Sequence, residues 1–185
     1  MAWLGADRPV SLSAAFAMRP VPLPQDTIDG FEDARRARFE EGLYLWAYAD
    51  APANPAGSAY LLGFSIEIAL KAAYFRVEGL APAFPIDHQV LNTARNKAGL
   101  LGVTTPHESF HSLVFWCEAL RALRVSLGSP LPPAADAPLQ RYARSSQDRW
   151  WVGMRYQPSA TSAAELDDLV EAASWFDSNY VLLYR

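Results

Sequence analysis

The sequence predicts an all-α fold, a bundle of four main helices with additional short helices. Apolar residues recur at helical spacing in several long segments, and no segment shows the alternation of a convincing β-strand. Hydrophobic residues make up 51% of the 185 residues, which is enough for one domain with a single sizeable core. Helices with apolar faces bury them against one another, and this favours a bundle.

The N-terminal residues, 1–29, are predicted to form a Pro-rich arm, and residues 30–185 are predicted to form the helical domain. Prolines interrupt any long helix in the arm, and they are Pro9, Pro20, Pro22 and Pro24. The first helix of the domain is expected from Phe31 to about Ala49, with Asp29 as its N-cap.

The second helix is expected between about residues 55 and 78, and it carries the most informative pair of charges. Asn54 is a candidate N-cap, and Pro55 suits the first turn. Glu67 precedes Lys71 by one helical turn on a surface of small and apolar residues, in the favourable orientation for an ion pair. The simplest interpretation is a half-exposed pair beside the core face, and the alternative is a functional site.

Four further helices are expected after the second one. A short helix begins near His88, and a long helix opened by Pro106 runs to about Leu127. A fifth helix is expected from about Pro138 to Trp151. The last helix is expected from about Ser162 to Tyr184, with acidic residues in its first turns, where the helix dipole favours them.

Charge and composition exclude several classes of protein. The formal net charge of -4 argues against sequence-independent binding of nucleic acid over the whole surface. No run of about 18 apolar residues is free of charge, so no transmembrane helix is predicted. The N-terminus lacks the pattern of a secretory signal, and a soluble cytoplasmic protein is expected. The one cysteine, Cys117, is interpreted as a small packed apolar residue.

Three segments in order give the chain a resemblance to a known family. They are LLGFSIEIALKAAYF at 61–75, DHQVL at 87–91 and RWWVGMRYQP at 149–158. The first is similar to a family helix with a Glu and a Lys four residues apart. The second is similar to a short His-Asp-Leu segment, and the third to an Arg-Tyr-Pro turn before the last helix. Over roughly residues 31–183 the chain resembles the HEPN superfamily of small helical-bundle proteins.

The HEPN resemblance implies a function as well as a fold. It implies a homodimer and a link to RNA cleavage or nucleotide binding in toxin-antitoxin and defence systems, with a nucleotidyltransferase as a possible partner. Active ribonucleases of the family carry an Arg followed, after a short spacing, by a His. Arg149 stands where such an Arg would, but Tyr156 follows it, and a phenol with a pKa of about 10 is a poor acid-base group near neutral pH.

A non-catalytic protein that binds a nucleotide, RNA or a partner protein is therefore expected, with no cofactor. The candidate binding residues are Glu67, Lys71, His88, Arg149, Arg155 and Tyr156. Arginines interleaved with tryptophans between residues 141 and 156 suit phosphates and stacked bases. Two roles stay open for Arg155, which either neutralises Glu67 or holds a phosphate.

One motif indicates a different function. His107, Glu108 and His111 fit the pattern H-E-x-x-H, in which two histidines on one helix face bind zinc and the glutamate activates water. No third ligand follows at the usual spacing. A zinc-dependent hydrolase using His107 and His111 is therefore the alternative, and two histidines in the first turn of a helix are the simpler interpretation.

Overall fold

The described part of the chain is all-α, as the sequence predicts. The computed structural model describes residues 27–48, 55–104, 110–156 and 161–185. Its helices are α1 (Ile28–Tyr48), α2 (Pro55–Val77), α3 (His88–Leu100), α4 (Leu113–Ser126), α5 (Pro133–Gln147) and α6 (Ala163–Tyr184), with a short 3-10 helix at Val152–Tyr156. Within these residues the β-type pairing is a single isolated bridge between Thr27 and Pro85, so no sheet forms there.

Helix α2 lies at the centre of the fold. It contacts α1, α4, α6 and the 3-10 helix. Sixteen of its 23 residues are buried, so neighbours cover it on nearly every side. A helix that is apolar around most of its circumference belongs in such a position. The candidate N-cap Asn54 lies outside the described residues.

The first helix starts earlier than the sequence analysis predicts. The side chain of Thr27 accepts a hydrogen bond from the Gly30 amide at 3.0 Å, and its carbonyl accepts one from the Phe31 amide at 2.8 Å. Thr27 is therefore the N-cap, and the choice of Asp29 as the cap is wrong. Ile28 is fully buried in the core, so the folded helix begins inside the segment that was assigned to the arm. Residues 1–26 lie outside the description.

The starts of α4 and α5 also differ from the prediction, whereas those of α3 and α6 are confirmed. Ser112 caps α4, because its hydroxyl oxygen accepts the Phe115 amide hydrogen at 3.1 Å. The helix thus begins at Leu113, several residues after Pro106. Helix α5 begins at Pro133, where a missing N–H costs nothing in the first turn. Ser162 forms a capping box with the Glu165 side chain at the start of α6.

A close approach of Trp150 to α2 positions the segment between α5 and α6. A Cβ added at Gly63 would lie 2.1 Å from Cδ1 of the Trp150 ring, so the glycine leaves room for the indole. The Trp150 indole N–H donates to the Tyr60 carbonyl at 3.1 Å, and the ring is fully buried. This contact fixes Trp151 and the 3-10 helix close to the middle of α2.

An ion-pair network joins α4 to α5 and makes stability depend on pH. The Arg121 guanidinium donates to both oxygens of Asp136, at 2.5 and 2.9 Å, and this pairing holds the pKa of the Asp136 carboxyl below its usual value. The folded state therefore binds fewer protons than the unfolded state in the acidic range. The contribution of the pair is present above the unfolded pKa and is lost as the pH falls through the folded one.

We expect Asp136→Asn to lower the free energy of unfolding by about 1 kcal/mol near neutral pH, because it removes a partly buried ion pair. The difference in the free energy of unfolding between this variant and the unmodified protein should shrink as the pH falls below about 4. Urea unfolding at several pH values measures it. Glu41→Gln, at the exposed pair between Arg38 and Glu41, is the control and should change stability little. A loss of stability in Asp136→Asn that is the same at every pH would contradict the link between the lowered pKa of Asp136 and stability.

Candidate functional site

The charge pair on α2 is buried. The side chain of Glu67 is 1% exposed, and the Lys71 ammonium donates a hydrogen bond to its Oε1. The ammonium also lies 5.7 Å from the centre of the Trp116 ring. The interpretation as a half-exposed pair is therefore wrong, because helices cover this side of α2 as well. A charge in such a place is costly unless it is paired and hydrogen-bonded.

His111 is a second partner of the buried carboxylate. Its Nδ1 lies 3.2 Å from Oε1 and 3.3 Å from Oε2 of Glu67. Because a carboxylate only accepts hydrogen bonds, Nδ1 carries the hydrogen, and Nε2 is left for other contacts. The His111 side chain is 53% exposed. Glu67 thus fixes the orientation of a histidine that reaches the surface.

The turn that carries His111 is held in place from both sides. The indole N–H of the buried Trp116 donates to the Phe110 carbonyl at 3.1 Å. The Phe110 ring lies 5.3 Å from the His88 ring, centre to centre, and 5.2 Å from the Arg95 guanidinium carbon. The turn therefore connects the core, through Trp116, with the surface of α3.

A cavity of about 560 Å³ opens beside this turn. It is lined by Phe110, His111, Ser112, Gln147, Trp151, Val152 and Gly153. The side-chain oxygen of Gln147 accepts the Leu113 amide hydrogen at 2.6 Å, so the amide nitrogen of Gln147 keeps its hydrogens for another acceptor. Trp151 is 39% exposed. The cavity therefore offers two aromatic rings, one imidazole nitrogen and one amide donor.

The arginine-rich stretch is less positive than its sequence suggests. Arg149 pairs with Asp168 at 2.6 Å and donates to the Ser145 carbonyl at 2.8 Å. Arg144 lies 3.6 Å from Glu118. His88, at the exposed start of α3, shares a hydrogen bond of 2.9 Å with Asn92 through its Nδ1. Of the predicted site residues, Arg149 and His88 are therefore engaged with neighbouring groups other than Glu67.

Several predicted site residues fall outside the described positions. The 3-10 helix that contains Arg155 and Tyr156 contacts α2, but their side chains are not among those that the structure describes. The closeness of Arg155 to Glu67 therefore stays a prediction. His107 and Glu108 also lie outside the description. His111 precedes the first residue of α4, so the placement of both histidines on one face of this helix is wrong.

A larger cavity of about 710 Å³ lies between the end of α3 and α4. Its lining is mostly apolar, and two guanidinium groups border it: that of Arg121 is bonded to Glu118 and Asp136, and that of Arg144 lies 3.6 Å from Glu118. Cys117 is buried nearby in α4, and burial raises the pKa of its thiol to about 12. The thiol therefore stays protonated, as the interpretation of Cys117 as a packed apolar residue requires. Neither feature brings reactive groups together.

Sequence reasoning missed the roles of Phe110, Ser112 and Gln147. Phe110 falls inside the predicted range of the long helix opened by Pro106, but the helix in fact starts three residues after it. The signal for the correct start is Ser112 directly before an apolar run, a typical N-cap position. Nothing in the sequence marks Gln147, because its contact with Leu113 joins residues that are 34 positions apart.

Comparisons with known proteins give no further assignment. No protein-family model, curated protein or solved structure matches the chain. The HEPN relationship therefore stays a prediction from the three sequence segments. Among the described helices, none combines the length and the hydrophobicity that crossing a bilayer requires.

Proposed function

We propose that this chain is a HEPN-like protein that binds a nucleotide, free or within RNA, in the cavity between Phe110 and Trp151. The observation that carries the proposal is the combination of these two rings with His111, which a buried carboxylate orients. Aromatic side chains stack on nucleic-acid bases of any sequence. An oriented imidazole and an oriented amide can then recognise the polar edge of the base.

The size of the cavity and the fixed positions of its polar side chains support a small planar ligand. Its volume of about 560 Å³ lies within the range of small-molecule sites. Gln147 and His111 are both held by hydrogen bonds to protein groups, Leu113 and Glu67. Because these side chains are already ordered, ligand binding costs little further side-chain entropy.

The phosphate of the ligand needs a cation, and we assign it to Arg155. This residue follows Gly153, which lines the cavity, by two positions. Arg149 is a weaker candidate, because Asp168 already neutralises its charge. Arg95 lies beside the other ring, Phe110, and supplies a second positive group near the cavity. Guanidinium groups suit phosphates because they present several donors in one plane.

The wider setting rests on the family resemblance alone. It suggests a cytoplasmic homodimer that works with RNA, or with a partner nucleotidyltransferase, in a toxin-antitoxin or defence system. The binding proposal does not depend on this setting, because the cavity is formed within a single chain.

Binding can be tested by titrating the protein calorimetrically with the four ribonucleoside monophosphates and a short single-stranded RNA. We expect Trp151→Ala to weaken the affinity about 10-fold, since stacking of a base on an aromatic side chain contributes about 1–3 kcal/mol. Trp46→Ala is the matched control, because this exposed tryptophan on α1 does not line the cavity. Binding that is absent, or equally weakened by both substitutions, would contradict the proposal.

The role of Arg155 is tested by Arg155→Ala with the exposed Arg141→Ala as its control. If Arg155 holds the phosphate, its removal should abolish nucleotide binding with little change in the melting temperature. If it instead neutralises Glu67, the melting temperature should fall markedly. Thermal melts and titrations on the same two variants distinguish these roles.

A further inference from the structure

We propose that Glu67 and His111 also form an acid-base pair that hydrolyses carboxylic esters held in the cavity. The substrate class is an ester whose alcohol carries a planar ring, such as an acylated nucleoside. This inference rests on the proposed binding cavity and goes beyond binding, because it assigns a reaction to the site. His111 is the catalytic residue, and Glu67 is a positioning residue that acts through it.

The first support is the geometry of the pair. Both oxygens of Glu67 lie within 3.3 Å of His111 Nδ1, so the carboxylate fixes the ring and the position of its hydrogen. Nε2 then carries the lone pair that can accept a proton. A carboxylate behind a histidine orients the imidazole and stabilises the imidazolium that forms when the ring takes up a proton.

The second support is the exposure of the histidine. Neutralising Glu67 alone would not need a solvent-exposed group, because the buried Lys71 already pairs with the carboxylate. More than half of the His111 side chain is nevertheless exposed, and the residue lines the cavity. Trp116 and the Ser112 cap hold the turn in this position. The result is a rigidly supported imidazole at the wall of a ligand-sized cavity.

The charges near the site favour a neutral substrate centre. Glu67 contacts His111 directly, and Lys71 is the second partner of that carboxylate. On α3, His88 and Arg95 approach the neighbouring Phe110. Among the described side chains lining the cavity there is no lysine or arginine to neutralise a reacting phosphate. The reacting carbonyl of a carboxylic ester is uncharged and needs no such cation.

The reaction balances with water as its only co-reactant. His111 Nε2 takes a proton from a water molecule while the water oxygen bonds to the ester carbonyl carbon. The tetrahedral intermediate then collapses, the bond between this carbon and the alcohol oxygen breaks, and Nε2 returns its proton to the alcohol oxygen. The products are a carboxylic acid and an alcohol, and the imidazole is regenerated.

The test is hydrolysis of p-nitrophenyl acetate and of 5′-O-acetyladenosine by the full chain. We expect saturable turnover that adenosine inhibits competitively, and a loss of about 100-fold in kcat/KM for His111→Gln. Trp46→Ala, at an exposed tryptophan on α1 that does not line the cavity, is the control and should retain the rate. A positioning role for Glu67 predicts that Glu67→Gln changes the pH profile of kcat/KM as well as its size.

The outcomes separate the two proposals. Turnover that is no faster than in His111→Gln, or equal losses in His111→Gln and Trp46→Ala, overturns the acid-base assignment. Adenosine binding, measured by calorimetry on the same samples, reports on the cavity independently of turnover. The unmodified protein must itself show saturable turnover and inhibition by adenosine. If it does not, the inference is wrong, whether or not the variants fold.

Discussion

Replacing Lys71 by methionine should lower the free energy of unfolding by about 3–5 kcal/mol, the cost of removing one partner of a buried ion pair. Lys71 and Glu67 are both buried on α2, and the ammonium donates to the carboxylate. Without the ammonium, His111 is the described partner that remains for the carboxylate. Urea unfolding monitored by tryptophan fluorescence measures the change.

The double variant Glu67→Leu with Lys71→Met is the control for this result. It removes both charges and leaves apolar side chains of similar size, which is often neutral or stabilising for a buried pair. Stability should therefore recover relative to the single variant. A single variant as stable as the unmodified protein would show that the pair is solvated in solution, which contradicts its burial.

Gly63→Ala should destabilise the fold by about 2 kcal/mol. The new Cβ would lie 2.1 Å from the ring of Trp150, which is fully buried and cannot move aside without disturbing the core. Overpacking of this kind costs about 3 kcal/mol, and the better helix propensity of alanine returns about 1 kcal/mol of it. Chemical denaturation of the variant measures the net change in the free energy of unfolding.

Gly99→Ala is the matched control, because it makes the same chemical change in a helix without the close contact. Gly99 lies in α3, is exposed, and has no neighbour within 4 Å of an added Cβ. The substitution should stabilise the protein by up to about 1 kcal/mol. If both alanine variants were equally stable, the close approach of Trp150 to α2 would not exist in solution.

The sequence was sufficient for the fold class and for the helices with clear end signals. Helix α3 starts after Asp87, whose side chain accepts the Val90 amide hydrogen at 2.9 Å, and α6 starts with the Ser162 capping box. Both signals are local, so a single sequence reveals them. The start of α4 was missed because Pro106 and Ser112 compete as signals, and only the folded chain shows that Ser112 is used.

The candidate site depended on contacts that local patterns do not contain. Spacing predicts that Glu67 and Lys71 pair, but their burial follows from how many helices surround α2. The bond from His111 to Glu67 joins residues 44 positions apart and passes through a turn that Trp116 fixes. Helical periodicity describes one helix face at a time, so it cannot show that a loop closes over that face.

The most direct test of the binding proposal is the indole N–H signal of Trp151 in a nitrogen-15 NMR spectrum, assigned with a Trp151→Phe variant. On titration with adenosine 5′-monophosphate, this signal should shift and saturate, because the ligand stacks on the ring. The Trp46 signal, from a tryptophan on α1 outside the cavity, should stay in place. A Trp151 signal that does not move when the nucleotide is bound, or no binding at millimolar nucleotide, would contradict the assignment of this cavity as the site.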